Sequence, residues 1–277
     1  MHPRKIITSA LLLLATTYST AQFSTVDFSS SLGTANYFGD LNTRANPYNQ
    51  SSFAGSVGLV YYFADKFNLR ADIGYSQLKA DDKKSKRDDL KARNLNFRSN
   101  VIDFNIAVEY DLLDISTIRY DQADHVFTPY AFAGVGLLHF DPTTVDRYGN
   151  KVHLQAMGTE GQGLADYPDR KPYSKTALQI PFGGGVKFAL SKEVTLSVEF
   201  KYHLLFTDYL DDVSREGYPT YNALYQKDHA LPGLTYRGDE LPGGGIFPYT
   251  NAMPNRGNPK NNDAYYNTLV RFSVSLN

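Results

Sequence analysis

From Val194 to Phe206 every second residue is apolar: Val194, Leu196, Val198, Phe200, Tyr202, Leu204 and Phe206. Thr195, Ser197, Glu199, Lys201 and His203 fill the places between. A period of two is that of a β-strand, whose successive side chains face opposite sides. At ~3.3 Å per residue the run spans roughly 40 Å, whereas ordinary strands hold about 5–6 residues. Similar alternation marks 23–33, 53–63, 67–75, 102–110, 178–190 and 266–276, and a Gly/Ala-rich run, 127–140, leaves its facing parity open. The pattern predicts eight strands of membrane-crossing length, ~9–11 residues or more.

The predicted connections alternate in length. Ala64-Asp65-Lys66 and Ser191-Lys192 are short, whereas 34–52, 79–97, 141–175 and 208–263 are long and polar. The segment 111–126 falls on the short side but exceeds its sister turns. Short turns at one end and long loops at the other are the asymmetry of an outer-membrane barrel; a sandwich has no cause to sort its loops so. The expected fold is therefore all-β: an eight-stranded antiparallel transmembrane β-barrel with long extracellular loops and short periplasmic turns.

If the apolar parity faces outward, the inward positions carry Asp27, Asp72, Asp103, Glu109 and Glu199 against Arg70, Lys187, Lys201 and Arg271. The interior of an eight-stranded barrel is just wide enough for side chains to fill. Ionised groups there must be paired or hydrogen-bonded, so a closed lumen held by a charge network is expected rather than a pore.

The N-terminus adds a compartment. Arg4 and Lys5 precede the apolar run Ile6–Ala15, and Ser19-Thr20-Ala21 offers a small-residue cleavage site. This predicts a signal peptide over 1–21 and a barrel domain over 22–277. The 277 residues include 21 Tyr and 17 Phe but no Trp or Cys, which removes disulfides and a lipid-bearing cysteine. Without Arg4 and Lys5, 26 basic residues stand against 29 acidic ones, so nothing favours nucleic acid.

Candidate chemistry is sparse. His139, His153 and His203 could serve lipid-modifying catalysis, but no motif brings a nucleophile or orienting acid to any of them. Asp40, Glu160, Asp208, Asp211 and Asp212 could supply oxygens to calcium, which takes about six to eight. The EF-hand spacing and its glycine are absent, and acidic loop residues commonly face water or cap turns. No catalysis, metal or cofactor is expected. Asp81–Asp89 is a mixed-charge run expected to be a solvated loop tip; Lys83, Lys84, Lys86 and Arg87 are its candidates for contact with lipopolysaccharide.

Six phrases occur in order along the chain: Tyr37–Asn42, Arg93–Phe97, Thr128–Gly136, Gly158–Gly163, Ile180–Lys187 and Thr207–Ser214. Together they resemble the PorG-like family of outer-membrane β-barrels of Bacteroidota. Its loop motifs fall here on Gly39, Asp40, Asn42, Asn94, Asn96, Glu160, Asp208, Asp211 and Asp212. The resemblance implies a structural component of the type IX secretion and gliding machinery. The implied partners are outer-membrane lipid and lipopolysaccharide, and a periplasmic ring built from a lipoprotein and its partner protein. The segment 111–126 is then the expected docking contact. The alternative is a surface barrel that binds ligands or partners through its loops.

Overall fold

The computed structural model describes residues 25–42, 50–113, 127–243 and 255–276. The predicted signal peptide and the boundary at residue 22 lie outside the described residues, as does 114–126, most of the expected docking segment. Among the described residues nine strands are present: β1 Thr25–Phe38, β2 Ser52–Ala64, β3 Phe67–Asp81, β4 Asn96–Asp111, β5 Phe127–Val145, β6 Lys151–His153, β7 Thr176–Ala189, β8 Val194–Leu205 and β9 Ala264–Ser275. All pairings are antiparallel. β1 pairs with β9, and β4 pairs with β5, which closes eight strands into a barrel and removes every long open edge. The short β6 pairs only with the far end of β5.

The strands run further than their alternation suggests. β1, β3, β4 and β5 extend into segments expected to be loop, so that 34–38, 79–81, 96–97 and 141–145 are wall. The reason is visible in the inward parity. Leu78, Ala80, Phe97, Val101, Leu138 and Phe140 point inward there and are buried. Apolar residues replace the charges inside the upper barrel, so the outward-apolar pattern fades although the strands continue.

Outside, the belt is apolar. Leu59, Leu69, Ile73, Ile106, Val108, Leu137, Val198, Phe200 and Val270 are all exposed. Soluble monomers rarely expose apolar patches beyond a few hundred Å², so this surface requires an apolar surrounding. Aromatic side chains line both edges of the belt. Tyr61, Phe63, Phe67, Tyr110, Phe127 and Phe188 cluster near the short turns, and Phe53–Tyr75 and Phe182–Tyr202 pair near the long loops. Such girdles sit where a bilayer meets water.

The described parts of the long loops fold. They hold α1 Asp88–Arg93, α2 Leu154–Met157, α3 Tyr221–Lys227 and α4 Leu231–Thr235. Leu41, Leu95, Leu154, Leu210 and Val213 pack down onto the upper apolar layer of the barrel. Leu164, Leu224, Leu231 and Tyr236 form a second core above it.

Candidate functional site

The barrel interior is the first constellation of note. All nine predicted lumen charges lie inside it, buried: Asp27, Arg70, Asp72, Asp103, Glu109, Lys187, Glu199, Lys201 and Arg271. Arg70 on β3 donates to both oxygens of Glu199 on β8, at 2.7 and 3.0 Å. Arg271 on β9 donates to Glu109 on β4 at 3.0 Å and lies 3.4 Å from Glu199. Lys201 on β8 reaches Asp72 on β3 at 2.8 Å. Each of these donor–acceptor strand pairs, β3–β8 and β4–β9, stands on opposite walls, so the links cross the full diameter. Tyr265 completes the set from β9 by donating to Asp103 on β4 at 3.1 Å.

Asp111, which the alternation places at the start of a link, belongs instead to this network. It is buried at the end of β4, 2.7 Å from Lys187, which also lies 2.5 Å from Glu109. The inward acids therefore number one more than the alternation gives. Asp27 accepts from Tyr62 at 3.0 Å, and the Lys187 ammonium lies 5.7 Å from the Tyr62 ring.

β5 resolves its open parity by placing Tyr130 and Phe132 inward. Tyr130 donates to Glu199 at 2.8 Å, and the Arg70 guanidinium lies 4.4 Å above the Phe132 ring. Their register partners on β7 are Gly185 and Gly183. A Cβ at either glycine would strike the β8 backbone and crowd these rings. The glycines of Ile180–Lys187 thus make room for aromatic rings inside the barrel.

The second constellation is the cap over the long-loop end. The loop acids named from sequence converge here. Tyr37, at the top of β1, donates to Asp211 at 2.5 Å and to Asp263 at 3.0 Å. Asp263 also accepts from the Leu210 backbone at 2.8 Å. Arg256 donates to Glu160 and to Thr159, each at 2.9 Å, and lies 3.7 Å from Asp212. Asp212 accepts from Tyr173 at 2.7 Å and from Thr159. Asp40 accepts from the Asn258 backbone at 3.1 Å. A cluster drawn from separate stretches of chain is thereby tied to the barrel mouth.

The remaining motif residues shape the backbone. Asn94 closes α1 with a left-handed φ of 60° and donates to the Arg237 carbonyl at 2.8 Å. Asn42 donates to the Tyr37 carbonyl at 2.9 Å, and Asn96 accepts from Thr144 at 2.7 Å. A Cβ at Gly39 would collide with the Tyr37 hydroxyl and Asp263, so glycine permits that hydrogen bond. Two partners are not legible as such in the sequence: Arg93 and Arg256, both 1% exposed. Arg93 donates to Asp82 at 2.8 and 2.9 Å, and its other arm reaches the Arg256 carbonyl. Asp82 is therefore a buried anchor, which corrects its reading as part of a solvated tip; Lys83, Lys84, Lys86 and Arg87 lie at the surface.

Burial dominates the cap electrostatics. It pushes Asp208 up to about 8, with Asp40 and Glu160 adding repulsion. It pushes Asp212 up to about 7 despite Arg256. Asp211 and Asp263 rise well above the ordinary carboxylate range through burial and neighbouring acids. Among the described residues no group of three or more His, Cys, Asp or Glu is arranged to hold a metal ion.

The three candidate histidines lie apart. His139 faces outward beside Thr176. His153 contacts Asp141 at 2.7 Å. His203 is buried in the lumen, stacked on Tyr265 with centroids 4.0 Å apart and 3.0 Å from Gln179.

A closed antiparallel barrel, apolar outside and polar within, is a fold of the outer-membrane β-barrel type. Residues 4–226 match the model of DUF6089, a domain of unknown function, and the chain belongs to that family. No curated protein matches it. Among solved structures it is similar to the Neisserial surface protein A, at 11% identity and a TM-score of 0.41, covering 90% of this chain and 96% of that one. It is similar to a major outer membrane protein from Thermus thermophilus, at 11% identity and a TM-score of 0.42, covering 91% and 99%. It is also similar to the outer membrane protein OprG from Pseudomonas aeruginosa, at 10% identity and a TM-score of 0.40, covering 93% and 99%. Nothing about activity passes from these proteins to this chain.

Proposed function

We propose that this chain is an integral outer-membrane barrel that acts as a non-enzymatic structural component. The observation that carries the reading is the filled lumen. Arg70–Glu199, Arg271–Glu109 and Lys201–Asp72 bridge it from wall to wall, which leaves the two ends and the outer belt as working surfaces. By its resemblance to the PorG-like family, the chain anchors the type IX secretion and gliding machinery. It docks a periplasmic ring lipoprotein and its partner through the end that carries 111–126.

The test is capture of the full-length chain from detergent-solubilised membranes after mild crosslinking. Recovery of the periplasmic ring subunits supports the anchoring role. Recovery of the folded barrel without them, together with normal secretion by a separate strain in which the gene is deleted, overturns it. The folded cap favours one alternative, a surface barrel that binds ligands or partners outside the cell. Its loops bury their own apolar core around Leu224 and Leu231, which a mere solvated connection does not need. Loss of extracellular binding on trimming of the cap, with secretion intact, selects that alternative.

A further inference from the structure

Along the outer face of β3 and β4 the register pairs, read upward from the short turns, are Phe67 with Tyr110, Leu69 with Val108, Ala71 with Ile106, Ile73 with Phe104, and Tyr75 with Ile102. The eight steps from Phe67 to Tyr75 cover roughly 26 Å of strand at ~3.3 Å each. A tilt of about 40° reduces this to roughly 20 Å of height, near the ~25 Å of an apolar belt. Next come Gln77 with Asn100, hydrogen-bonded at 3.4 Å, and then Lys79 directly opposite Arg98. Two cations thus face each other about 10 Å above the last apolar pair.

Like charges directly opposite on one face of a sheet repel. Lys84, from the turn above, is also within electrostatic reach of Lys79. Among the described residues the neighbouring acids form no ion pair with either cation. Asp81 accepts from the Lys83 backbone at 3.0 Å. Asp141, beside Asn100 on β5, is taken by Lys175 at 3.3 Å and by His153. Neither Lys79 nor Arg98 forms an ion pair among the described residues. Both are on the outward face, where their stems can lie along the apolar wall while the charged ends reach the headgroup layer.

We propose that Lys79 and Arg98 form a docking site for the phosphate of an outer-leaflet lipid, a phosphorylated glycolipid of the lipid A type. A phosphate between them would accept from both cations at once, and its acyl chains would lie on the belt at Tyr75 and Ile102. The planar Arg98 guanidinium suits two-point contact with phosphate, and Lys79 adds a point charge. The proposal rests on the outer-membrane reading and moves the lipid contact from the loop tip, Lys83, Lys84, Lys86 and Arg87, to the barrel wall.

The test uses the full-length protein, purified in detergent, with diphosphoryl lipid A as the probe and native mass spectrometry as the readout. Lys79→Gln/Arg98→Gln should retain at least tenfold less lipid A than the unaltered protein, whereas Lys83→Gln/Lys86→Gln should retain as much. Dephosphorylated lipid A should bind weakly to all three. Equal retention by the wall double variant overturns the proposal, as does equal binding of the dephosphorylated probe. Folding is followed separately by heat-modifiable gel migration and by membrane fractionation. A chain that never enters the membrane fraction overturns the outer-membrane reading itself. If the wall double variant does not fold, the single variants Lys79→Gln and Arg98→Gln take its place, each expected to lose severalfold.

Discussion

Arg70 and Glu199 stand on opposite walls of the barrel and meet in its middle through two hydrogen bonds of 2.7 and 3.0 Å. The pair shares Glu109 and Arg271, so four charges from four strands form one network. Breaking a buried ion pair by removing one partner costs about 3–5 kcal/mol, because the other charge is left unpaired. Arg70→Met should therefore lower the midpoint of urea unfolding sharply, read as loss of the fast-migrating folded band. Arg70→Met/Glu199→Met should recover part of the loss, since the double replacement strands no charge between the two.

Val198 and Phe200 face outward on β8. An Arg at the middle of a lipid-facing belt costs about 2–4 kcal/mol. Val198→Arg should reduce the folded barrel recovered in the membrane fraction. Tyr148→Arg, on the exposed turn between β5 and β6, should leave it unchanged. Equal recovery of the two variants would contradict the lipid-facing assignment.

Arg256 is buried among Glu160, Thr159 and Asp212. Arg256→Met should loosen the cap without opening the barrel, because every lumen bridge lies below it. The expected outcome is at least severalfold faster protease cleavage within the loops, with heat-modifiable migration retained. Arg256→Lys should rescue little, since one ammonium cannot reproduce a guanidinium that serves several acceptors.

The cap should also respond to pH. Asp208 is pushed up to about 8 and Asp212 to about 7, so the folded cap binds more protons than the unfolded loops between about pH 4 and 8. The slope of stability with pH then has a negative sign. Limited proteolysis should be slower at pH 5.5 than at pH 8.5, and Asp208→Asn/Asp212→Asn should flatten the difference. Faster cleavage at the lower pH would contradict it.

Much of the wall is legible in the sequence. The alternation in 53–63, 67–75, 102–110 and 194–206 assigns strands and faces, because period two survives wherever the outer face is apolar and the inner one polar. It fails in the upper barrel, where the inner face turns apolar while polar residues such as Gln77, Lys79 and Arg98 face outward. Leu78, Phe97, Leu138 and Phe140 point inward, and strand there reads as loop. On β5, glycines and alanines blur the two faces. Arg93 and Arg256 carry no local signal, because their acceptors come from other parts of the chain.

The sequence by itself determined the number of barrel strands, the outward parity of all but β5, the sorting of short and long connections and the lumen charges other than Asp111. These follow from local alternation and from the cost of placing ions in an apolar surrounding. Only the tertiary structure decided which charges meet, for Arg70 and Glu199 are 129 residues apart and become partners through closure of β4 on β5. It also decided that Asp40, Glu160, Asp208, Asp211, Asp212 and Asp263 belong to a folded cap. Burial there raises several of their proton affinities, and burial depends on how loops from both sides of the barrel mouth pack over it.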